Sequence, residues 1–189
     1  MSELSREEII KKVEEGISLK GKDLSNADLS YTNLKNGDFS NANLHDAHLQ
    51  NANLEGAKLT GADLSNAFFF GANLKNADLQ QVNLKGANFQ DTNLEAANIQ
   101  GTDMQNLSLF GAHLDEANLE GCNLRGAKLK RASLIKTNLK GADLRKAHLQ
   151  RAVLKKADLS KANLQGARLI SVDLSDTKLK DAILNDDDK

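Results

Sequence analysis

"ANLEGAKLTGADLSNA", residues 52–67, repeats one short unit: Ala, then Asn, Lys or Asp, then Leu, then two small or polar residues. Its period of five decides the fold. An α-helix returns a residue to the same face about every 3.6 positions and a strand about every 2, so neither element keeps these leucines on one side. The chain must instead bend regularly, once per unit. Outward from this stretch the pattern runs from Leu19 to Leu184, where every fifth residue is apolar for 34 positions without a break: 29 Leu together with Phe39, Phe69, Phe89, Ile99 and Met104. The residue two before each is Ala at 22 of 33 positions, and the residue directly before is Asp or Asn at 21 of 33, so both belong to the repeat rather than to any single site.

If each step turns the chain by a fixed angle, the leucines meet on a central axis and the coils stack as an all-β solenoid, with neighbouring coils about 4.8 Å apart. Gly or Asn two places after the central residue, as at Asn26, Asn36, Gly56, Gly61 and Gly71, supplies the turn conformation, and Ala fits the inside of a corner. The chain has no Pro, which agrees with backbone amides being needed for stacking along its length.

On the A-(D/N)-L-x-x unit over residues 22–184, the chain closely resembles the pentapeptide-repeat family. The resemblance implies a right-handed quadrilateral β-helix with four units per coil, the central Leu and preceding Ala pointing inward. Residues 20 apart then lie on one another, and the repeat makes about eight coils, a rod roughly 35–40 Å long at strand spacing.

The organisation expected is an N-terminal capping helix and entry into the first coil over residues 1–20, the β-helix over 21–184 and an acidic tail over 185–189. Residues 2–18 lack the repeat and read as a helix: Ser5 and Glu8 form a capping box, Leu4 and Ile9 a staple, Ile9, Ile10, Val13 and Ile17 an apolar stripe, and Gly16 a stop. A helix there shields the open end of the first coil; with five glutamates against three basic residues it reads less well as a membrane-surface helix. The C-terminus has no matching helix, so the last coil is either blunted by its aspartates or open to a second copy, leaving a monomer or a dimer through the C-terminal coil.

Composition narrows function further. Lys plus Arg (25) nearly balance Asp plus Glu (26), which does not suggest a nucleic-acid binder. The single Cys122 sits at an Ala position and reads as a buried small residue, in keeping with a reducing compartment. With no signal-peptide pattern and no long apolar run, a cytoplasmic protein is expected. His45, His48, His113 and His148 do not cluster at metal-ligand spacing, and the glycines recur one per corner rather than in a phosphate loop, so no enzyme, cofactor or metal site is expected.

Charge is unevenly placed: residues 1–124 hold 9 basic and 18 acidic side chains, whereas residues 125–161 hold 12 and 2. The basic band suggests docking of an acidic protein partner. The function expected is a noncatalytic protein-interaction scaffold. Family resemblance supplies the alternative, a DNA-mimic inhibitor of DNA gyrase conferring quinolone tolerance, but such mimicry calls for a rod acidic along much of its length, without this basic band. Counting by twenties puts every noncentral aromatic on one side, followed there by basic residues. Tyr31, Phe68, Phe70, Phe110, Lys128, Lys130, Arg131, Arg151 and Arg168 are therefore the candidate partner-binding residues.

Overall fold

The computed structural model describes residues 4–184; the expected acidic tail, 185–189, lies outside them. Every fifth residue from Gly16 to Asp181 has a φ between 52° and 76°, so the backbone turns at each unit. Parallel bridges join residues 20 apart, from Asp23–Asn43 to Asn163–Ile183, which fixes four units to a coil. We number the sides by their central residues: side 1 runs from Leu24 to Leu184, side 2 from Leu29 to Leu169, side 3 from Leu34 to Leu174 and side 4 from Leu19 to Leu179.

One unit shows why these residue types recur. In Ala52–Gly56 all five amides are satisfied. Ala52 N–H donates to Leu49 O across the turn (3.1 Å), Asn53 N–H to Thr32 O in the coil below (2.8 Å), and Leu54 and Gly56 N–H to Asn73 O and Lys75 O in the coil above (2.7 and 2.8 Å). The fifth, Glu55 N–H, donates to the Asn53 side chain at 3.2 Å. The Asp or Asn before the central Leu is thus the acceptor that completes the backbone account. Asparagine adds a second bond, from Nδ2 to the side chain one coil below, giving the Asn33–Asn53–Asn73–Asn93 ladder of side 3 at 3.1–3.2 Å. Gly56 answers two demands: its φ is +66°, and a Cβ there would collide with Asn36 Oδ1.

The expectation of an all-β chain needs one correction. Among the described residues no extended strand forms; each side contributes a single bridge residue, because the turn begins two residues after the bridge and ends two before the next. The centre is a column of buried Leu with Ala at the corners, and Phe69 stacks on Phe89 at 4.5 Å between ring centroids. Where Thr or Cys takes the corner beyond the first coil, its hydroxyl or thiol donates to a central carbonyl one coil below, as in Thr137 to Leu114 O (2.8 Å) and Cys122 to Ile99 O (3.1 Å), whereas Thr32 donates to Leu29 O of its own coil.

α1 spans Arg6–Glu14, shorter than the 2–18 expected, with Ser5 as N-cap and both bonds of the capping box formed. Ile9 is buried and Leu4 and Val13 pack against the core, whereas Ile17 lies past the helix and is 45% exposed, so it does not belong to the apolar stripe. Gly16, with φ +68°, turns the chain out of the helix. The Arg6 guanidinium donates to Asp28 O and Ser30 O, both at 2.7 Å, and so occupies carbonyls on the lower edge of the first coil that no coil beneath supplies with donors.

The stack is interrupted once in mid-rod. On side 1 the bridge between Asn83 and Asp103 is missing, as are the upward bonds from Gln81, Leu84 and Gly86 that equivalent residues make elsewhere. A cavity of about 390 Å³ opens there, lined by Val82, Asn83, Leu84, Lys85, Asp103, Gln105 and Asn106. Its two flanking corners carry Val82 and Leu107, side chains larger than the usual Ala.

Candidate functional site

Side 2 breaks the repeat's own rule. Its bridge column reads Asp28, His48, Phe68, Asn88, Ser108, Lys128, His148, Arg168, bridged rung to rung throughout. Six of these eight are neither Asp nor Asn, against six of 25 on the other three sides, so the amide-capping side chain is given up chiefly here. Phe, Lys and Arg cannot accept the following N–H, so each such position exchanges a backbone hydrogen bond for an outward aromatic or cation.

The aromatic residues form a patch. Phe68 is 40% exposed and Phe70 45%, and His48 packs its ring edge on Phe68 with centroids 5.3 Å apart at 85°. Phe110, two coils beyond Phe70, is half-buried beneath the Arg131 guanidinium, whose carbon lies 5.8 Å from the ring centroid. Tyr31 is the most exposed aromatic but stands alone: Asn51 and Gly71 occupy the two rungs above it.

Beyond Phe110 a cavity of about 380 Å³ opens along the side, lined by Gln90, Ser108, Phe110, Lys128, Lys130, His148, Gln150 and Arg168. It brings together Phe110, Lys128, Lys130 and Arg168 of the expected set; Arg131 reaches it through Phe110, while Arg151 stands at the corner outside its lining. Gln90, Ser108 and Gln150 were not foreseen, since Gln and Ser are ordinary outward residues everywhere in the repeat, although counting by twenties places them on the same column. Gln90 Nε2 donates to Ser108 Oγ at 2.9 Å, and Gln150 Oε1 is buried without a partner.

Elsewhere on the rod some charges are paired rung to rung, Lys35–Glu55 at 3.1 Å, Lys75–Glu95 at 2.9 Å and Lys136–Glu116 at 2.8 Å on side 3 and Lys178–Asp158 at 3.5 Å on side 4, while others, Lys58, Lys85, Arg125 and Lys140 among them, have no ion pair among the described residues. Among the described residues, Lys128, Lys130, Arg131, Arg151 and Arg168 have no such carboxylate. The basic corners also carry backbone strain: Arg131, Lys136, Lys146, Arg151, Lys156 and Lys161 have φ of 57–62°, a region costing roughly 1 kcal/mol for a side chain other than Gly or Asn.

Cys122 is buried, and burial pushes its thiol up to about 11, far from thiolate reactivity at neutral pH. Among the described residues no group of three or more His, Cys, Asp or Glu could hold a metal ion, and no helix is long and apolar enough to cross a membrane.

Comparison with known proteins places this geometry. The family model for pentapeptide repeats matches residues 15–46, 38–76, 72–106, 108–145 and 147–186, in eight copies. Among solved structures, the chain is 30% identical to HetL, a pentapeptide repeat protein involved in heterocyst differentiation regulation in the cyanobacterium Nostoc sp. strain PCC 7120, covering 97% of this chain and 98% of that one with a TM-score of 0.40. It is 35% identical to alr5209 from Nostoc PCC 7120 over 51% of this chain and 80% of that one, TM-score 0.49. Similarity to QnrB1, a plasmid-mediated fluoroquinolone resistance protein, is 23% identity over 88% of this chain and 81% of that one, TM-score 0.42. A search of curated proteins gives no match.

Proposed function

The chain belongs to the pentapeptide-repeat family, and from that premise we propose that it works as a noncatalytic protein-interaction scaffold whose partner docks on side 2. The observation that carries the reading is the departure of six of the eight side 2 bridge residues from the Asp or Asn that the fold uses. Side 2 replaces structural acceptors with the exposed Phe68 and with Lys128 and Arg168, which lack counter-charges, and sets the exposed Phe70 close by, the composition of a recognition surface with an aromatic centre. The partner is an unidentified protein in the same, cytoplasmic, compartment. Leu169, Leu174, Leu179 and Leu184 of the last described coil are only partly buried, which fits either a monomer or a dimer through that coil.

The test is affinity capture from a lysate of the encoding organism with the parent chain and a Phe68→Ser/Phe70→Ser variant whose melting is unchanged. A protein retained by the parent and lost by the variant supports docking on side 2. Equal retention by both removes it. The alternative, a gyrase-directed DNA mimic, draws on the 18 acidic against 9 basic residues of positions 1–124, but the 12 basic residues of 125–161 stand where mimicry needs acid. Gyrase supercoiling slowed by micromolar protein would put that reading in place of the scaffold.

A further inference from the structure

We propose that the groove on the upper half of side 2 is a receptor for an acidic α-helix of the partner, its carboxylates set over Lys128, Lys130 and Arg168 and an apolar residue against Phe110. This rests on the reading of side 2 as the docking side and names what the partner presents there.

Charge gives the sign of the ligand. Three cations and His148 line a cavity of about 380 Å³ that contains no carboxylate, and none of the three cations has an ion pair among the described residues. Lys128, His148 and Arg168 occupy consecutive rungs of one bridge column, so the two cations stand about two rungs, roughly 10 Å, apart with the imidazole between them and no carboxylate in the groove, an arrangement that an anion complements. Loosened backbone keeps the groove open: Leu129 N–H makes no bond to His148 O and Ser108 N–H none to Ala87 O, bonds that equivalent residues make through most of the rod. Ser108 accepts from Gln90, which leaves its own proton to donate, and Gln150 Oε1 is a buried acceptor still without a donor.

Spacing gives the shape. Lys128 and Arg168 are two rungs, roughly 10 Å, apart along the rod. Helical carboxylates at i, i+3 or i+4, and i+7 fall on one face and span about 10.5 Å, so they meet all three rungs. An extended strand returns to one face only about every 6.8 Å and falls out of step. Length excludes a long polyanion: the cationic rungs end above Phe110, and the rod beyond carries 18 acidic against 9 basic residues over positions 1–124, so a nucleic-acid strand running on would meet like charge.

The probe is a fluorescein-labelled Ala-rich helical peptide with Glu at i, i+4 and i+7 and one Leu on the same face, compared with a peptide of equal composition whose Glu positions are scrambled, and with a labelled oligothymidine. Anisotropy is read at low salt, about 50 mM, where surface charge is least screened. The ordered peptide is expected to bind about tenfold tighter than the scrambled one, and Lys128→Glu/Arg168→Glu to weaken it about tenfold or more. The control Arg125→Glu/Lys140→Glu, with the same net charge change on sides 1 and 4, should stay within about threefold. Equal loss in both double variants, no preference for the ordered register, or tighter binding of oligothymidine would each overturn the proposal. The two readings separate: a partner captured through Phe68 and Phe70 that the peptide does not displace leaves the scaffold standing and the groove refuted. Peptide binding without any captured protein does the reverse.

Discussion

Sides 1 and 2 of this rod are built on the same five-residue unit and use its bridge position in opposite ways. Side 1 reads Asp23, Asn43, Asp63, Asn83, Asp103, Asn123, Asp143, Asn163 and ends in Ile183: acid and amide alternate up to Asn163, and Asn43, Asn83 and Asn123 each separate two acids. Asn43, Asn83 and Asn123 donate Nδ2 to the Asp below at 3.0, 2.9 and 2.8 Å. Side 2 puts imidazole, phenyl, ammonium and guanidinium in the same register. The fold tolerates this because the buried Leu and Ala, not the bridge side chains, supply the apolar core. A solenoid can therefore vary one side for recognition while the others hold the stack.

The largest effect tests what the sides share. Leu94→Asp, mid-rod on side 3 at a fully buried position, places an unpaired carboxylate in the core and is expected to cost several kcal/mol, about enough to unfold or split the array. Circular dichroism melts read it directly; a wild-type melting curve would show that the central column is not the common support.

Acid separates the sides next. The Asp23 and Asp173 carboxyls are held below 3.8 chiefly by the backbone N–H of Ser25 and Ser175, Asp38 chiefly by the Ser18 hydroxyl and Asp158 chiefly by the Ser160 hydroxyl. These groups bind protons more weakly folded than unfolded. Their stabilisation is therefore complete above the unfolded value of 3.8 and is lost as pH falls through the lower folded values. Melting temperature is expected to hold from neutral pH down to about 5 and to fall below about 4. These four acids stand on sides 1, 3 and 4, and on side 2 only Asp28, at its first rung, is lowered likewise, chiefly by the Ser30 hydroxyl, so amide exchange on the other sides should accelerate in acid before that of residues 128–150 on side 2.

A paired substitution sharpens the contrast at single residues. Asp63 accepts from Ser65 N–H (3.0 Å), Ser65 Oγ (2.6 Å) and Asn83 Nδ2 (2.9 Å), so Asp63→Ala on side 1 leaves donors unpaired and should cost about 1–3 kcal/mol. Phe68→Asn on side 2 restores the missing acceptor for Phe70 N–H and should leave stability within about 0.5 kcal/mol of the parent, or raise it. Equal losses in denaturant melts would mean that side 2 is as structural as side 1.

The period of five was enough to place every central residue, and counting by twenties was enough to put Phe68, Phe110, Lys128 and Arg168 on one side. Both follow from periodicity alone. Single bridges in place of strands were not legible, because they depend on how soon each turn begins. Nor was the separation of the unit's roles: Asp and Asn before Leu read as repeat residues, but only the geometry shows them closing the fifth amide. Counting by twenties also puts His148 and Gln150 on this side, but that they line an open groove depends on the backbone around Leu129, which no spacing rule announces. Ile17 was assigned to the helix by apolar character, yet Gly16 had already turned the chain.

The smallest expected effect concerns the gap on side 1, where the regular side itself fails. Val82 and Leu107 fill corners that Ala occupies at 22 of 33 positions, and around them Leu84, Ala87 and Leu107 are 3–5% exposed while most of the mid-rod core is at 0 or 1%. Truncating a buried Val ordinarily destabilises by leaving a void. Here the void already exists as a cavity of about 390 Å³. If the extra methyls hold the coils apart, Val82→Ala should let Leu84 N–H reach Asp103 O and Gly86 N–H reach Gln105 O, as their counterparts do in other coils, and gain about 1 kcal/mol by relieving the overpacking. Hydrogen exchange distinguishes this from a general change in stability: the amides of Leu84 and Gly86 should become protected in the variant, while those of Leu54 and Gly56 stay as they are. A loss of about 1 kcal/mol with Leu84 still exchanging fast would mean that the Val82 corner is well packed, and that the coils part there for a reason other than its size.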